Sequence, residues 1–232
     1  MQIKILFEDE WLLVINKPNN VLMHQSYYAR NIKEPTLIQL LKEQTGATYY
    51  PIHRLDRKTS GVVALAKRRE DVASFQEMFT SKDVNKVYIG LVRGFVTEEK
   101  IIDSPVKNPD TKVYKDALTT CIPLNSIERD IPVHPYQKSR YSLVHLKPDT
   151  GRMHQLRIHM NKVSHPLVGD YKYGDRFHNR MFEKEFNCHN LFLHALKLKF
   201  KHPKTQDLLE FTAQFPADWS KIFNELNWKN PL

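Results

Sequence analysis

The chain has 232 residues, of which 41% are hydrophobic and 26% charged, a composition typical of a folded globular protein that excludes an intrinsically disordered one. No apolar run approaches the roughly 20 residues of a membrane helix, and the N-terminus lacks the layout of a secretory signal peptide. Its two cysteines are too few for a disulfide framework. We therefore expect a cytoplasmic protein that does not associate with membranes.

The net charge is concentrated in one part of the chain. Lys and Arg outnumber Asp and Glu by 35 to 26, which gives a formal charge of +9. Residues 136–204 hold 14 of the basic and only 5 of the acidic residues, so this stretch alone carries +9. A basic surface that also carries aromatic rings favours nucleic acid as a partner. Composition leaves a merely solvated basic face as the alternative.

Hydrophobic periodicity predicts strands and helices in the first half of the chain. A helix is predicted where Thr36 can cap apolar residues at helical spacing, and a continuous apolar run at 62–66 predicts a buried strand. In chain order the predicted elements are strands at 3–7 and 11–15, a helix from Thr36 to about Gly46, a strand at 62–66, an amphipathic helix with Val72, Phe75 and Phe79 on one face, and a strand at 86–93.

The second half begins with a stretch, 105–135, that holds five of the 13 prolines, so we expect an irregular excursion there. The predicted elements that follow are a strand at 141–147, a helix with Met153, Leu156, Met160 and Val163 on one face, a half-exposed strand at 196–201 and a closing helix over 219–226. Strands outnumber helices without regular βαβ alternation, which predicts an α+β fold. No linker or repeat interrupts the chain, so we expect residues 1–232 to form a single catalytic domain.

The motifs that usually bind nucleotides and metals are absent from the sequence. No Gly is followed by Lys, and no GxGxxG occurs, so neither a P-loop nor a dinucleotide fingerprint is present. The pairs His154/His159 and His189/His194 are spaced five apart, unlike a helical zinc pair. We expect no metal and no cofactor.

The densest group of reactive side chains spans residues 53–61, which read HRLDRKTSG. Nearby positive charge favours the ionised form of Asp56, and an ionised carboxylate can act as a nucleophile or base towards a nucleoside. The alternative from the residues alone is a loop aspartate that caps the next turn and pairs with arginine. A kinase catalytic loop is rejected, because the spacing differs and the required Asn is missing.

This segment resembles the signature loop of the RluA-type pseudouridine synthases, in which the aspartate is the essential catalytic residue. Further motifs of that family follow in the same order over nearly the whole chain. They are Asn16-Lys17-Pro18 with His24, Lys86-x-Tyr88 with Val92 and Gly94, 150–159 (TGRMHQLRIH), 165–170 (HPLVGD), Tyr173-Gly174, Leu193-His194-Ala195 and His202-Pro203. The family usually has Gly where Asn20 stands, and Asn is well able to adopt the same left-handed backbone conformation.

The resemblance implies a pseudouridine synthase catalytic fold, with a mixed, mainly antiparallel sheet, flanking helices and a central active-site cleft. It implies that Asp56 is catalytic and that Arg157 pairs with it, although a phosphate-binding or surface arginine is the alternative. Tyr88 is expected to stack on the target base, with a buried strand tyrosine as the alternative. Arg54 is expected to fill the space that the flipped nucleotide vacates.

Narrower features, at 139–144 and 174–180, are similar to the branch of the family that modifies tRNA at uridine 65. The resemblance therefore implies a monomeric, cofactor-free isomerase acting on tRNA, with no separate N-terminal RNA-binding domain. The same chemistry on ribosomal RNA or on several RNAs is an alternative, and a non-catalytic RNA-binding module is another. The sequence leaves open whether Asp56 attacks the sugar covalently or removes a proton from it.

Overall fold

The computed structural model describes residues 1–25, 33–80, 84–108 and 111–232. The chain divides into two compact units: unit 1 comprises Met1–Lys86 and Ala195–Gln214, and unit 2 comprises Val87–His194 and Phe215–Leu232. Strands, paired mostly antiparallel, and helices occur in both, which confirms the α+β class. That the whole chain acts as one catalytic domain stays a prediction. No helix in the described ranges is long and apolar enough to cross a membrane.

The elements are numbered in chain order, and a short 3-10 turn at Arg69–Asp71 leads into the second helix. The helices are α1 (Leu37–Thr45), α2 (Val72–Thr80), α3 (Gln155–Lys162), α4 (Arg176–Phe186) and α5 (Ala217–Glu225). The strands are β1 (Lys4–Glu8), β2 (Leu12–Lys17), β3 (Tyr50–Pro51), β4 (Ser60–Ala66), β5 (Asn85–Arg93), β6 (Lys100–Asp103), β7 (Val106–Lys107), β8 (Tyr114–Lys115), β9 (Leu118–Arg129), β10 (Ser139–Pro148), β11 (Leu193–Lys201) and β12 (Leu208–Thr212).

Unit 1 is built around a sheet in the order β1-β2-β4-β11, with β3 on β4 and β12 on β11. All seven residues of β4 are buried, as the continuous apolar run predicted. Its core packs β2, β4, α2, β11 and β12 together; members include Leu12, Val62, Phe75, Phe200 and Phe211. The predicted first helix is confirmed: Thr36 and Gln39 form a reciprocal capping box, and Gly46 ends the helix with a left-handed φ of 76°.

Unit 2 contains strands in the order β5-β10-β9-β6. β10 pairs antiparallel with β5 on one side and with β9 on the other. α3 packs its Leu156 and Met160 onto Val92, Val144 and Leu146 of these strands, as the predicted apolar face requires. Val163, just after the helix, packs on the same core, whereas Met153, predicted for this face, precedes the helix and is exposed. The predicted closing helix is also present as α5, with Trp219, Ile222 and Phe223 buried.

The expectation of an irregular excursion over 105–135 was wrong for much of that stretch, of which residues 109 and 110 lie outside the described ranges. β9 is a strand of 12 residues that includes Pro123. The pairing of β9 with β10 shifts register between Leu143 and Val144, opposite Asn125 and Pro123. A bulge is one of the few places where a sheet accepts proline, so the proline content did not prevent a strand.

Candidate active site

The loop that carries Asp56 runs between β3 and β4 in unit 1. Leu55 is buried beneath it, Asp56 is half-buried, and Arg54 is exposed. The carbonyl of Asp56 accepts a hydrogen bond of 3.1 Å from the N–H of Thr59. The loop is thus a tight turn that leads directly into a fully buried strand. Its aspartate lies at the border between the core and the surface.

Lys17, at the end of β2, holds this loop from below. Its side chain is fully buried, and Nζ donates to the carbonyls of Pro18 (3.0 Å), Arg57 (3.0 Å) and Thr59 (2.8 Å). Two of these three acceptors lie in the Asp56 loop. The sequence places Lys17 in a family motif without giving it a role; a lysine that ends an apolar strand and precedes proline was the available signal.

Burial lowers the pKa of Lys17 to about 7, while the carboxylate of Asp56 raises it and the cation of Arg57 lowers it further. The influence of Asp56 on this pKa means that the two side chains interact electrostatically. Lys17 is consequently both a hydrogen-bonding support of the loop and a source of positive charge near the carboxylate.

His53 fixes the other end of the loop. Its Nε2 accepts a hydrogen bond of 3.0 Å from the N–H of Ala64 in β4, and its ring stacks on Phe79 at 4.4 Å between centroids. Burial, together with the charge of Lys86, lowers the pKa of His53 to about 3. The imidazole is therefore neutral at physiological pH and acts as an acceptor that ties the loop to the sheet.

Gly61 lets β4 approach its neighbour closely. Its φ is +115°, and a Cβ added there would lie 2.2 Å from the carbonyl oxygen of Ala195. No other residue type fits this position without moving backbone. The Gly that closes the sequence motif is thus explained by packing of the strand behind Asp56.

Arg157, on α3 of unit 2, is buried and forms a two-pronged ion pair with Asp170. Its Nε lies 2.7 Å from Oδ2 and its Nη2 lies 2.8 Å from Oδ1, and the two side chains are only 8% and 1% exposed. This burial excludes a surface arginine. Sequence reasoning missed Asp170 as a site residue, although it ends one of the motifs.

Asp170 is itself held by backbone groups. Its Oδ1 also accepts hydrogen bonds from the N–H groups of Lys172 (2.9 Å) and Tyr173 (3.0 Å). Burial acts to raise the pKa of Asp170, but the hydrogen bonds and charge of Arg157, together with these two N–H groups, lower it below its usual value. The pair is thus fully ionised, and the guanidinium position is set by a carboxylate that cannot itself rotate freely.

Four further contacts orient this corner of unit 2. The amide of Asn179 on α4 donates to the carbonyl of Asp170 (3.0 Å) and accepts from the N–H of Gly169 (2.8 Å). The guanidinium of Arg157 lies 5.1 Å from the ring centre of Tyr173, and the hydroxyl of Tyr173 is 3.0 Å from Nδ1 of His154. Helix α4, which the sequence analysis did not predict, is therefore part of the support for Arg157.

Tyr88, the fourth predicted residue, lies on β5 opposite Leu146. It is half-buried and packs against the core of unit 2, so it is not a fully buried strand tyrosine. Asp56 and Arg54 belong to unit 1, while Tyr88 and Arg157 belong to unit 2. The pairing of Arg157 with Asp56 that the family resemblance implies joins the two units, and it stays a prediction.

The histidines near these residues bond to protein groups. His159 lies between Thr119 Oγ1 (3.0 Å) and the carbonyl of Ser104 (2.8 Å), and burial lowers its pKa. Among the described residues, no three His, Cys, Asp or Glu side chains converge as metal ligands would.

Residues 11–162, which include the Asp56 loop, Tyr88 and Arg157, match the family described as RNA pseudouridylate synthase. The chain belongs to this family. Its members isomerise uridine in RNA to pseudouridine, and the chain is an isomerase of this kind.

Individual relatives match this chain over almost its whole length. It is 35% identical to tRNA pseudouridine synthase C of Vibrio cholerae, covering 99% of this chain and 98% of that one. It is 38% identical to tRNA pseudouridine synthase C of Haemophilus ducreyi, covering 98% and 97%. Two similar solved structures are Human RNA Pseudouridylate Synthase Domain Containing 1 (TM-score 0.71, 25% identity, 93% and 84% covered) and Human RNA Pseudouridylate Synthase Domain Containing 4 (TM-score 0.74, 24% identity, 99% and 95% covered). The second likeness concerns the fold alone.

Proposed function

We propose that this RNA pseudouridylate synthase isomerises a uridine of tRNA, at position 65, to pseudouridine. The observation that carries the proposal is the full-length similarity, at 35% and 38% identity, to proteins named tRNA pseudouridine synthase C. The motifs at 139–144 and 174–180 that resemble the uridine-65 branch support it. We propose further that the protein acts as a monomer, with residues 1–232 as one catalytic domain.

In the proposed reaction the bond from the sugar to N1 of uracil breaks and a bond from the sugar to C5 forms. The C5 proton is lost and N1 gains one, so product and substrate have the same atoms. No oxidant, reductant or nucleotide is consumed, and we therefore propose that the enzyme uses no cofactor. A paired uridine becomes accessible only after it is flipped out of the stack.

Asp56 is the proposed catalytic residue, acting as an ionised carboxylate on the sugar, either as a nucleophile or as a base. Support comes from how its loop is held: Lys17 binds the carbonyls of Arg57 and Thr59, and His53 is bonded to β4. A carboxylate fixed in this way needs little reorganisation before it reacts.

The other three residues are proposed to bind the substrate. In this proposal Tyr88 stacks on the target base, and its hydroxyl assists removal of the C5 proton. Arg157 stabilises the ionised Asp56, and its own position is set by Asp170. Arg54, which is exposed, enters the space in the RNA helix from which the uridine has been withdrawn.

The test compares wild type with Asp56→Asn on unmodified tRNA transcripts, with pseudouridine mapped at single-nucleotide resolution. We expect wild type to modify uridine 65 and Asp56→Asn to form no pseudouridine while its Kd for tRNA changes by less than severalfold. A ribosomal RNA transcript in the same assay tests the alternative substrate. Turnover by Asp56→Asn would refute the role of Asp56, and modification of ribosomal RNA alone would refute the tRNA assignment.

A further inference from the structure

Unit 2 contains a cavity that none of the proposed catalytic residues lines. Its volume is about 500 Å³, and its lining includes Arg93, Tyr136, Lys138, Arg140, Ser164 and His178. This volume lies within the range of small-ligand sites. Its walls come from the ends of β5, α3 and α4 and from the segment that precedes β10.

The cations of this cavity are held in place by carboxylates. Nε of Arg140 lies 2.8 Å from Glu128, and Nζ of Lys138 lies 2.9 Å from the same carboxylate. Arg93 is paired with Asp175, the cap of α4. These contacts hold the head groups of Arg140 and Lys138 in defined positions at the wall of the cavity. A pre-oriented guanidinium loses less entropy on binding a phosphate.

One aromatic ring, that of Tyr136, lies in the wall of the cavity and is 64% exposed. Phe95 and Phe177, each 39% exposed, are the chain neighbours of the lining residues Gly94 and His178. Two of these rings already lie under guanidinium groups: Arg140 is 5.5 Å from the centre of Phe95, and Arg176 is 4.7 Å from that of Phe177. Exposed rings with planar cations form surfaces on which nucleic-acid bases stack.

We propose that this cavity is a second RNA-binding subsite, which takes one nucleotide of the substrate RNA outside the target uridine. The phosphate binds Arg140 and Lys138, and the base stacks on Tyr136. The site is separate from the catalytic residues: Arg93 lies five residues beyond Tyr88 on β5, which is roughly 16 Å along a strand. Apart from Arg93 and Gly94, its lining residues belong to the stretch, 136–204, that carries the net charge of +9. The proposal rests on the proposed function, since it takes the substrate to be RNA.

The subsite is tested with Tyr136→Ala and Arg140→Gln, measured by tRNA binding and by steady-state turnover. Both side chains are largely exposed, and neither lies in the catalytic machinery. We expect Tyr136→Ala to weaken tRNA binding at least about fivefold, the usual effect of removing one stacked ring. We expect Arg140→Gln to reduce the dependence of log K on log salt by about 0.7 to 0.9, equivalent to one phosphate contact. KM should rise in both variants while kcat is unchanged.

Lys199→Gln serves as the matched control, because Lys199 is a partly exposed cation that is also paired with a glutamate, Glu210, but in unit 1. Its Kd and salt dependence should equal those of wild type. If wild type modifies tRNA and the two variants bind it as well as Lys199→Gln does, the subsite is refuted and the proposed function stands. If wild type modifies no RNA, the proposed function fails; a loss of tRNA binding specific to the two variants then still supports the subsite.

Discussion

Replacing Asp170 by Asn removes the carboxylate that faces Arg157 and changes little else in shape. The wild-type pair has two short contacts, of 2.7 and 2.8 Å, between side chains that are almost inaccessible to solvent. Asn keeps one acceptor oxygen, so the hydrogen bonds from the N–H groups of Lys172 and Tyr173 can persist. Its NH2 group is a donor, however, and faces an N–H donor of Arg157. Removing one partner of a buried ion pair costs about 3 to 5 kcal/mol. We expect the lower value, about 3 kcal/mol, because one acceptor remains.

For a chain of this length, 3 kcal/mol corresponds to a fall in Tm of roughly 6 to 12 °C. Calorimetry of wild type and Asp170→Asn measures this shift, and pseudouridine formation under single-turnover conditions measures the effect on chemistry. We expect the rate of the chemical step to fall at least about tenfold, because the guanidinium is no longer held in one position. tRNA affinity should change by less than severalfold.

The pH dependence gives an independent check on the same pair. The pKa of Asp170 is lower in the folded protein than its usual value of 3.8. A carboxylate with a lowered folded pKa stabilises the protein above the unfolded pKa and loses this contribution as pH falls through the folded one. The stability difference between wild type and Asp170→Asn should therefore be constant above about pH 5 and shrink below about pH 4.

The control is Glu10→Gln, which breaks the exposed pair of Arg68 with Glu10. Solvent screens such a pair, so we expect a change below about 1 kcal/mol. If Asp170→Asn is no less stable than Glu10→Gln and retains the wild-type rate, Asp170 does not position Arg157.

Three other predictions concern the loop of Asp56. Gly61→Ala should destabilise the protein by about 3 kcal/mol or more in urea unfolding, because the Cβ of the new alanine would meet the carbonyl of Ala195. The control is Gly151→Ala, whose Cβ would meet open space, and its free energy of unfolding should be nearly that of wild type. Equal destabilisation by the two substitutions would contradict the packing argument. Burial lowers the pKa of Lys17 to about 7 from 10.5, so between pH 7 and 10 the unfolded chain binds more protons and the free energy of unfolding should rise with pH. If a Lys17→Met variant shows the same rise, the rise does not come from Lys17. The ring of His53, with a pKa of about 3, should show no NMR titration between pH 5 and 8, and a midpoint near 6.5 would show that it is not buried as described.

Local signals in the sequence predicted much of the fold. The capping residue Thr36, the terminating Gly46 and the apolar run of β4 each act within a few positions, and each element formed where they indicated. Proline content was misleading over 105–135, because a bulge in the pairing with β10 accommodates Pro123. The effect of a proline depends on its strand neighbours, which lie far away in the sequence.

Helix α4 was missed because its sequence, RFHNRMFEKEF, was interpreted as part of a basic surface. The structure shows that both properties occur together: Asp175 caps the helix, while Met181, Phe182 and Phe186 are buried. A cap followed by buried residues on one face was present in the sequence. The many charged residues on the other face of the helix made its apolar face hard to recognise in the sequence.

The candidate site was predicted only in part, for a similar reason. Motif resemblance indicated Asp56, Tyr88 and Arg157, and although Lys17 and Asp170 also lie in motifs, the sequence did not show which groups they bind. Asp170 lies 13 positions after Arg157, and Lys17 lies about 40 positions before Arg57 and Thr59, whose carbonyls it binds. Such partners are brought together by the sheets, and short-range patterns do not report them.

The way the chain passes between the two units has a consequence for biosynthesis. Leu198, Phe200 and Phe211 complete the core of unit 1, yet the 108 residues of Val87–His194 precede them. Since a ribosome releases the N-terminus first, the apolar strands β2 and β4 are made long before β11 and β12, which complete their core. A nascent chain that ends near residue 190 lacks β11 and β12 and therefore leaves part of this apolar surface uncovered.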